Sequence, residues 1–356
     1  PLRRSLPRPT HDPTETAPNR EAAQHMSTSA SPLDWLLEAH NPSVRYFALT
    51  ELLGAPAGDP DVEQARAAIM SAEPVSSILA LQQPGGHWGK ADGFYTEKYG
   101  GTVWQLLVLA ELGADGSDPR LRRAAEFLFE HSQEREHGGF AMNRSAKMGG
   151  GRMTEVIPCL TGNMVWALAH LGYAGDPRLQ RAVDWITTYQ RFDDGIAEPP
   201  SGAPYYRYEI CFGRHSCHMG VVKALKGLAA LPSAARTPVV AETIACGTEF
   251  MLAHRVHKRS HDLRRVSKPG WLKFAFPQMY QTDVLEVLDV LTRLGCVADE
   301  RLSEALEVVR SKQGADGRWR LEASFNDRMP VAVEDKGQPS KWITLRAMTV
   351  LQRCGG

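Results

Sequence analysis

The sequence predicts an all-α protein, an (α/α)6 toroid in which a ring of apolar helices is enclosed by a ring of amphipathic ones. Three observations predict it. A helical segment opened by an acidic cap and closed by Gln recurs at Asp118 (DPRLRRAAEFLFEHSQ), Asp176 (DPRLQRAVDWITTYQ) and Asp299 (DERLSEALEVVRSKQ), the mark of a repeat architecture. More apolar helical segments alternate with these copies. Strand signals are too sparse for an α/β fold. The first two copies lie 58 residues apart and the last two 123, about twice as far, so a divergent copy belongs between them; Thr237–His254 supplies it.

In chain order, Pro32–Ala39 is an outer partner, Pro42–Leu53 the first inner helix, and 61–81 outer again. Inner helices then fall at Lys98–Leu112, Ile157–Leu171, His215–Leu231, Tyr280–Leu294 and Ser340–Arg353, each separated from the next by one amphipathic copy. Several close on Leu-Gly, as at Leu112-Gly113, Leu171-Gly172 and Leu294-Gly295, a helix C-cap signal. The same elements would also suit an open solenoid of helix pairs.

Composition sets outer limits. The 356 residues are 43% apolar and 23% charged, as in an ordinary globular protein. At roughly 150 residues per domain the length suggests about two domains, although one barrel absorbs it whole. Lys+Arg 41 cancels Asp+Glu 41, so no overall field draws in nucleic acid or an anionic membrane, and no apolar run is long enough to span a bilayer. Residues 1–31, rich in Pro, Arg and Thr at their start, are expected to be a disordered leader, with Met26 an alternative start and residues 32–356 the toroid. Six scattered cysteines (Cys159, Cys211, Cys217, Cys246, Cys296, Cys354) suggest the reducing cytoplasm rather than a disulfide framework.

The loops are asymmetric. Inner-to-outer connections are short (GADGS, GYAG, CVA), whereas outer-to-inner ones run long: Arg135–Thr154, Arg191–Glu209, Val256–Phe276 and Gly314–Pro339. Long loops that a compact fold does not need tend to carry function. All of them fall on the rim beside the inner-helix N-termini, whose dipoles favour an anionic group.

Gln82-Gln-Pro-Gly-Gly-His-Trp88 and Gln313-Gly-Ala-Asp-Gly-Arg-Trp319 both fit Q-x-x-x-G-x-W, and weaker versions run Gln133–Phe140 and Gln190–Ile196. This resembles the Gln-Trp repeat of the prenyltransferase and squalene cyclase superfamily, and with the helical period the resemblance covers about Pro32–Gly356. It implies the toroid, with the Gln capping helix ends and the Trp packed beside them as staples. The reaction is narrowed by departures: the Asp-x-Asp-Asp acid of class II cyclases is missing, since Asp193-Asp194 is followed by Gly195, and so is the Asp-Asp-x-x-Asp magnesium motif. Protein prenyltransferases of this superfamily hold zinc through Asp-x-Cys on one inner helix and a His opening the next. By resemblance His215 is the carried-over imidazole and Cys159 the thiolate, but Ile157 stands where that family has Asp.

Read from the residues alone, Cys159 opens one inner helix and Cys211-Phe-Gly-Arg-His-Ser-Cys-His218 leads into the next. Cys159, Cys211, His215, Cys217 and His218 are therefore candidate zinc ligands, because zinc accepts a tetrahedral mix of thiolate, imidazole and carboxylate. The same atoms without metal would make a Cys/His nucleophile pair, and a purely structural role is the third option. Candidate catalytic residues are Asp283, an acid in an otherwise apolar helix, with Tyr280, His218 and Cys217. Candidate substrate contacts are Tyr95, Tyr99 and Trp342 among the rim aromatics, and the cations Arg144, Arg207, Arg214 and Lys341. The densest cationic stretch adds His257, Lys258, Arg259 and His261, suited to phosphate or carboxylate.

Three functions follow. The first is a zinc- or Cys/His-dependent enzyme acting on a hydrophobic, isoprenoid-like substrate with an anionic head. The second is a metal-dependent hydrolase or lyase on a small non-isoprenoid molecule, for which the polar set Arg144, Asn163, Asp194, Arg207, Lys223 and Lys341 is better suited. A non-enzymatic binding or scaffold protein is the third. The partner in the first two is a small molecule, and no oligomeric state can be read from one chain.

Overall fold

A computed structural model describes residues 31–355, which form one compact unit. The expected leader lies outside the described residues except for Ser31, whose hydroxyl accepts the Asp34 amide at the start of the first helix.

The helices are α1 (Pro32–Leu36), α2 (Pro42–Phe47, widened into a π turn over Ala48–Leu52), α3 (Pro60–Ile69), α4 (Val75–Ala80), α5 (Thr102–Glu111), α6 (Pro119–His131) and α7 (Pro158–Leu168, with a π turn over Ala169–Tyr173). They continue with α8 (Pro177–Tyr189), α9 (Glu209–Phe212), α10 (His218–Ala229), α11 (Pro238–Ala253), α12 (Val284–Arg293), α13 (Ser303–Ser311) and α14 (Lys341–Arg353). A small antiparallel hairpin, β1 (Lys258–Arg259) and β2 (Asp262–Val266), is the one sheet among the described residues. The inner ring is α2, α5, α7, α10, α12 and α14. It closes, because α14 packs on α12 at one side and on α2, its π turn and α1 at the other; an open solenoid would leave these ends apart. The expected outer segment 61–81 is two helices, and the inner helices begin later than their apolar periods suggest, at Thr102, His218 and Val284. The residues ahead of them form the mouth of the barrel.

Local chemistry explains the repeat. Asp118, Asp176 and Asp299 each cap a helix by accepting the amide two residues on, from Arg120, Arg178 and Arg301, at 2.8, 2.8 and 2.9 Å. Two of these arginines also reach a carboxylate 52 residues earlier, Glu126 and Glu249, tying successive outer helices together. Gly113, Gly172 and Gly295 take the positive φ that ends their inner helices.

The Gln-Trp segments are staples. Gln82 and Gln133 donate to the carbonyls of Arg120 and Arg178, at 2.8 and 2.7 Å, at the start of the next outer helix. Trp88 and Trp319 donate their indole N–H to Ile78 and Val309 of the preceding one, both at 2.7 Å. The backbone amides of Trp88, Phe140 and Trp319 then donate to Thr102, Thr161 and Thr344 on the inner helices, at 3.1, 3.0 and 3.0 Å. One segment thus joins two outer helices and one inner helix while burying a large ring, which gives the resemblance its physical content.

The closest inner pair is α7 and α10. A Cβ on Gly162 would fall 2.2 Å from the Lys223 carbonyl oxygen, and one on Gly227 would fall 2.8 Å from the Gly162 carbonyl oxygen. Only hydrogen fits at these positions, and the close approach brings the start of α7 next to the lead-in of α10.

Candidate functional site

The long-loop mouth gathers neutral groups around a single amine. Cys159 in the first turn of α7, Cys211 in α9 and Cys217 capping α10 influence one another: burial, then the neighbouring thiols, push Cys159 far above the ordinary thiol range, and burial pushes Cys211 up to about 12. Opposite them, before α5, the Lys98 ammonium lies 4.3, 4.8 and 5.7 Å from the ring centres of Tyr280, Tyr95 and Trp104. Among the described residues no carboxylate comes within 4.0 Å of it. Burial lowers its pKa, with the Arg328 charge acting in the same direction. Tyr99 packs edge-on against Trp104 at 5.3 Å, accepts a hydrogen bond from Gln281 at 2.9 Å and carries the Arg328 guanidinium 4.9 Å above its ring. Burial holds the Tyr95 and Tyr280 phenols above their ordinary values.

Each imidazole has partners other than the thiols. His215 sits 3.1 Å from Asp194, because the lead-in to α10 is fastened to the 191–198 loop by Ser216 N–H to Asp193 at 2.7 Å and Gly195 N–H to Arg214 at 2.8 Å. His218 turns toward α11, its ring 4.1 Å from His254, 4.9 Å from Trp271 and 5.1 Å from Phe250. Burial first, then His254, hold its pKa down to about 3. Asp194 also accepts from Ser260 and stands 3.5 Å from His254. Among the described residues, the one His/Cys/Asp/Glu trio whose ligand atoms lie within 4.8 Å of one another is Glu134, Glu136 and His137. Glu134 there is already engaged by the amides of Glu136 and His137, at 2.8 and 2.6 Å. The expected ligand set Cys159, Cys211, His215, Cys217 and His218 therefore does not fit zinc as it stands.

Other expected site residues are committed elsewhere. Asp283 is the buried cap of α12: one oxygen accepts the Glu286 amide at 2.8 Å, the other the Ala275 amide at 2.9 Å and the Gln278 side chain. Burial raises its pKa to about 7. Lys341 is buried against Glu38 at 2.7 Å and the Trp35 carbonyl, a pairing that ties α14 to α1 and the residues after it. Trp342 stacks on Phe276 at 4.4 Å. Arg207 reaches Glu155 at 3.2 Å, Arg214 reaches Glu198 at 3.1 Å, and Arg144 is exposed. The cationic stretch is the hairpin itself. There Lys258 pairs with Glu304 at 2.7 Å, His257 is buried, Arg259 is half-buried and His261 is exposed at the turn.

What the sequence reading missed lies lower in the barrel. Glu286 accepts from Lys223 at 2.6 and 2.7 Å and from Lys226 at 3.1 Å; Lys226 also donates to Glu111 at 2.5 Å, whose second oxygen takes Arg346. Asp289 accepts from Arg293 at 3.0 Å and from Arg353 at 2.8 Å, and both arginines continue to Glu51. Lys223 was expected at the polar rim; it is buried on the barrel axis instead. Beneath this network is a cavity of about 120 Å³ to which all six inner segments contribute, from Phe47 and Glu51 to Arg346. The available signal was a charge inside each apolar run: VVKALKGL, VLEVLDVL and ITLRAMTV.

No helix among the described residues is long and apolar enough to cross a membrane. No family model and no curated protein sequence matches the chain. Among solved structures it is similar to a type II terpene cyclase from Scytonema, at 15% identity and TM-score 0.39 over 89% of this chain and 88% of that one. It is also similar to an unsaturated glucuronyl hydrolase specific for heparin (10%, 0.49, 92% and 87%) and to a GH76A α-1,6-mannanase from Salegentibacter sp. HEL1_6 (12%, 0.44, 90% and 89%). Likenesses this distant decide nothing about the reaction, and the toroid is read from the closed ring of helices itself.

Proposed function

We propose that the chain is an enzyme acting at the long-loop mouth on a small molecule with a hydrophobic or aromatic body and an anionic head. The observation that carries this reading is Lys98, a half-buried ammonium faced by three aromatic rings and, among the described residues, by no carboxylate within 4.0 Å. The rings favour the cation while burial costs it its hydration. A carboxylate or phosphate arriving on the open side offsets that cost with a charge-assisted hydrogen bond. Arg328 above Tyr99 adds a second cation, and Tyr95, Trp104 and Tyr280 offer apolar faces for the body. Their neutral phenols are proton donors beside the bound head. Zinc takes no part in this reading, because no three of Cys159, Cys211, His215, Cys217 and His218 have ligand atoms within 4.8 Å of one another. The isoprenoid remains one body that suits it.

The test compares farnesyl diphosphate with uncharged farnesol by calorimetry, on wild type and Lys98→Met. The expected result is binding of the diphosphate, weakened at least about tenfold in the variant, with an unchanged melting temperature. Equal affinity for both compounds, or no loss in Lys98→Met, would overturn it.

A further inference from the structure

The cavity beneath the axial network has features that the network's own stability does not require. It is lined by Lys226, Arg293 and Arg346 and by Glu51, Glu111, Glu286 and Asp289, with Lys223 and Arg353 pairing the same carboxylates from outside the lining. Three of the cations have a local reason to be there: Lys226, Arg293 and Arg353 stand in the last turns of α10, α12 and α14, where helix C-termini gather partial negative charge. Lys223 is taken up by both oxygens of Glu286. Arg346 is different. It lies in the middle of α14, lines the cavity, and gives only one hydrogen bond to the protein, to Glu111, although a guanidinium carries five N–H donors in a planar fork. Its guanidinium also lies 4.8 Å from the Phe276 ring centre, and the donors not given to Glu111 are open to a partner in the cavity.

The remaining wall is aromatic and small. Phe47, Trp166 and Trp342 contribute flat faces, and Ala229 and Ala230 leave room at the end of α10. Lys226 already covers one face of Trp166 at 4.1 Å. The carboxylates of the wall are likewise taken up by lysines and arginines, so what the wall still lacks is an acceptor. At about 120 Å³ the space compares with the roughly 150 Å³ cavity that admits a benzene ring in an engineered core.

We infer that this cavity is a second ligand site, separate from the mouth, that takes a small carboxylate with a flat apolar body, its carboxylate on the Arg346 fork. The site opens among the C-terminal ends of the inner helices, opposite the long loops. A neighbouring surface groove, lined by Arg66, Arg122 and Arg178 and by Asp115, Glu126 and Asp176, shares His170 with it.

The test titrates benzoate, with benzylamine and toluene as controls of equal shape, into wild type, Arg346→Met, Ala230→Leu and Lys98→Met, each checked for native circular dichroism. Ala230→Leu fills the cavity without touching a charge, so it tests the site even if Arg346→Met fails to fold. The expected result is benzoate binding that falls at least about tenfold in Ala230→Leu and Arg346→Met and persists in Lys98→Met. Failure of wild type to bind benzoate overturns the proposal, as does equal binding of benzylamine or toluene. Loss in Lys98→Met with retention in Ala230→Leu places benzoate at the mouth and also overturns it, while supporting the separate reading of Lys98.

Discussion

The two ends of this barrel handle charge in opposite ways. At the mouth, the Lys98 ammonium stands among phenols, thiols and indole with no carboxylate of the described residues within 4.0 Å. On the axis below, five cations and four carboxylates interlock around the buried Lys223, Lys226, Glu111 and Glu286, and every carboxylate has a cationic partner. The mouth is built from loops and helix lead-ins, and the axial network from the helices themselves. An interlocked buried network contributes to holding the ring in one arrangement, because breaking any member strands another charge in low dielectric. A cation without a carboxylate partner, such as Lys98, contributes little to the fold and stays available to a ligand.

The largest expected effect comes from breaking the network. Glu286→Gln leaves Lys223 and Lys226 short of a charge and should cost about 3–5 kcal/mol in urea unfolding, whereas Lys98→Met should cost less than about 1 kcal/mol. Similar costs for the two variants would erase the contrast.

Next in size is a staple. Thr161→Val removes the acceptor of the buried Phe140 amide and should cost about 1–3 kcal/mol; a neutral result would mean the staple hydroxyls do not hold the inner ring.

The pH dependence sharpens the comparison further. Asp283, raised from 3.8 to about 7, binds more protons folded than unfolded between those values, so its contribution falls as pH rises from about 4 to 7, by at most about 1.4 kcal/mol per unit. Glu286, lowered from 4.5 to about 2, has the opposite sign: its contribution is whole above pH 4.5 and is lost as pH falls through 2. Chemical unfolding from pH 2 to 8 should show the first slope removed by Asp283→Asn and the second by Glu286→Gln; a slope that survives its substitution belongs to another group.

Smallest is the rim. Glu304 pairs with Arg255 and Lys258 of the cationic stretch at 3.2 and 2.7 Å but is 43% exposed, so Glu304→Gln should change stability by less than about 1 kcal/mol. A larger loss would mean that the hairpin is packed as firmly as the axis.

Much of the fold is legible along the chain, because its determinants are local. Acidic caps, Leu-Gly stops and Gln-Trp staples act over a few residues or at a fixed repeat distance, and they place nearly all the helices. The long loops identify the rim, and Tyr95, Tyr99 and Tyr280 are among the side chains that meet there. Lys98 was read only as the start of a helix. Its significance comes from where the irregular segment before Thr102 turns, and periodicity does not encode that.

The sequence by itself determined the ring of helices and put Cys159, His218 and Asp283 near the starts of inner helices. Only the tertiary structure decided what each of them faces: His218 the aromatic wall of α11, Asp283 two backbone amides, Cys159 its fellow thiols. It also decided that Lys226 meets Glu111, 115 residues away, and that Lys341 meets Glu38, 303 away. The physical reason is that height along a helix follows from counting residues, whereas the direction a side chain faces, and the partner across the barrel that neutralises it, exist only once the ring has closed.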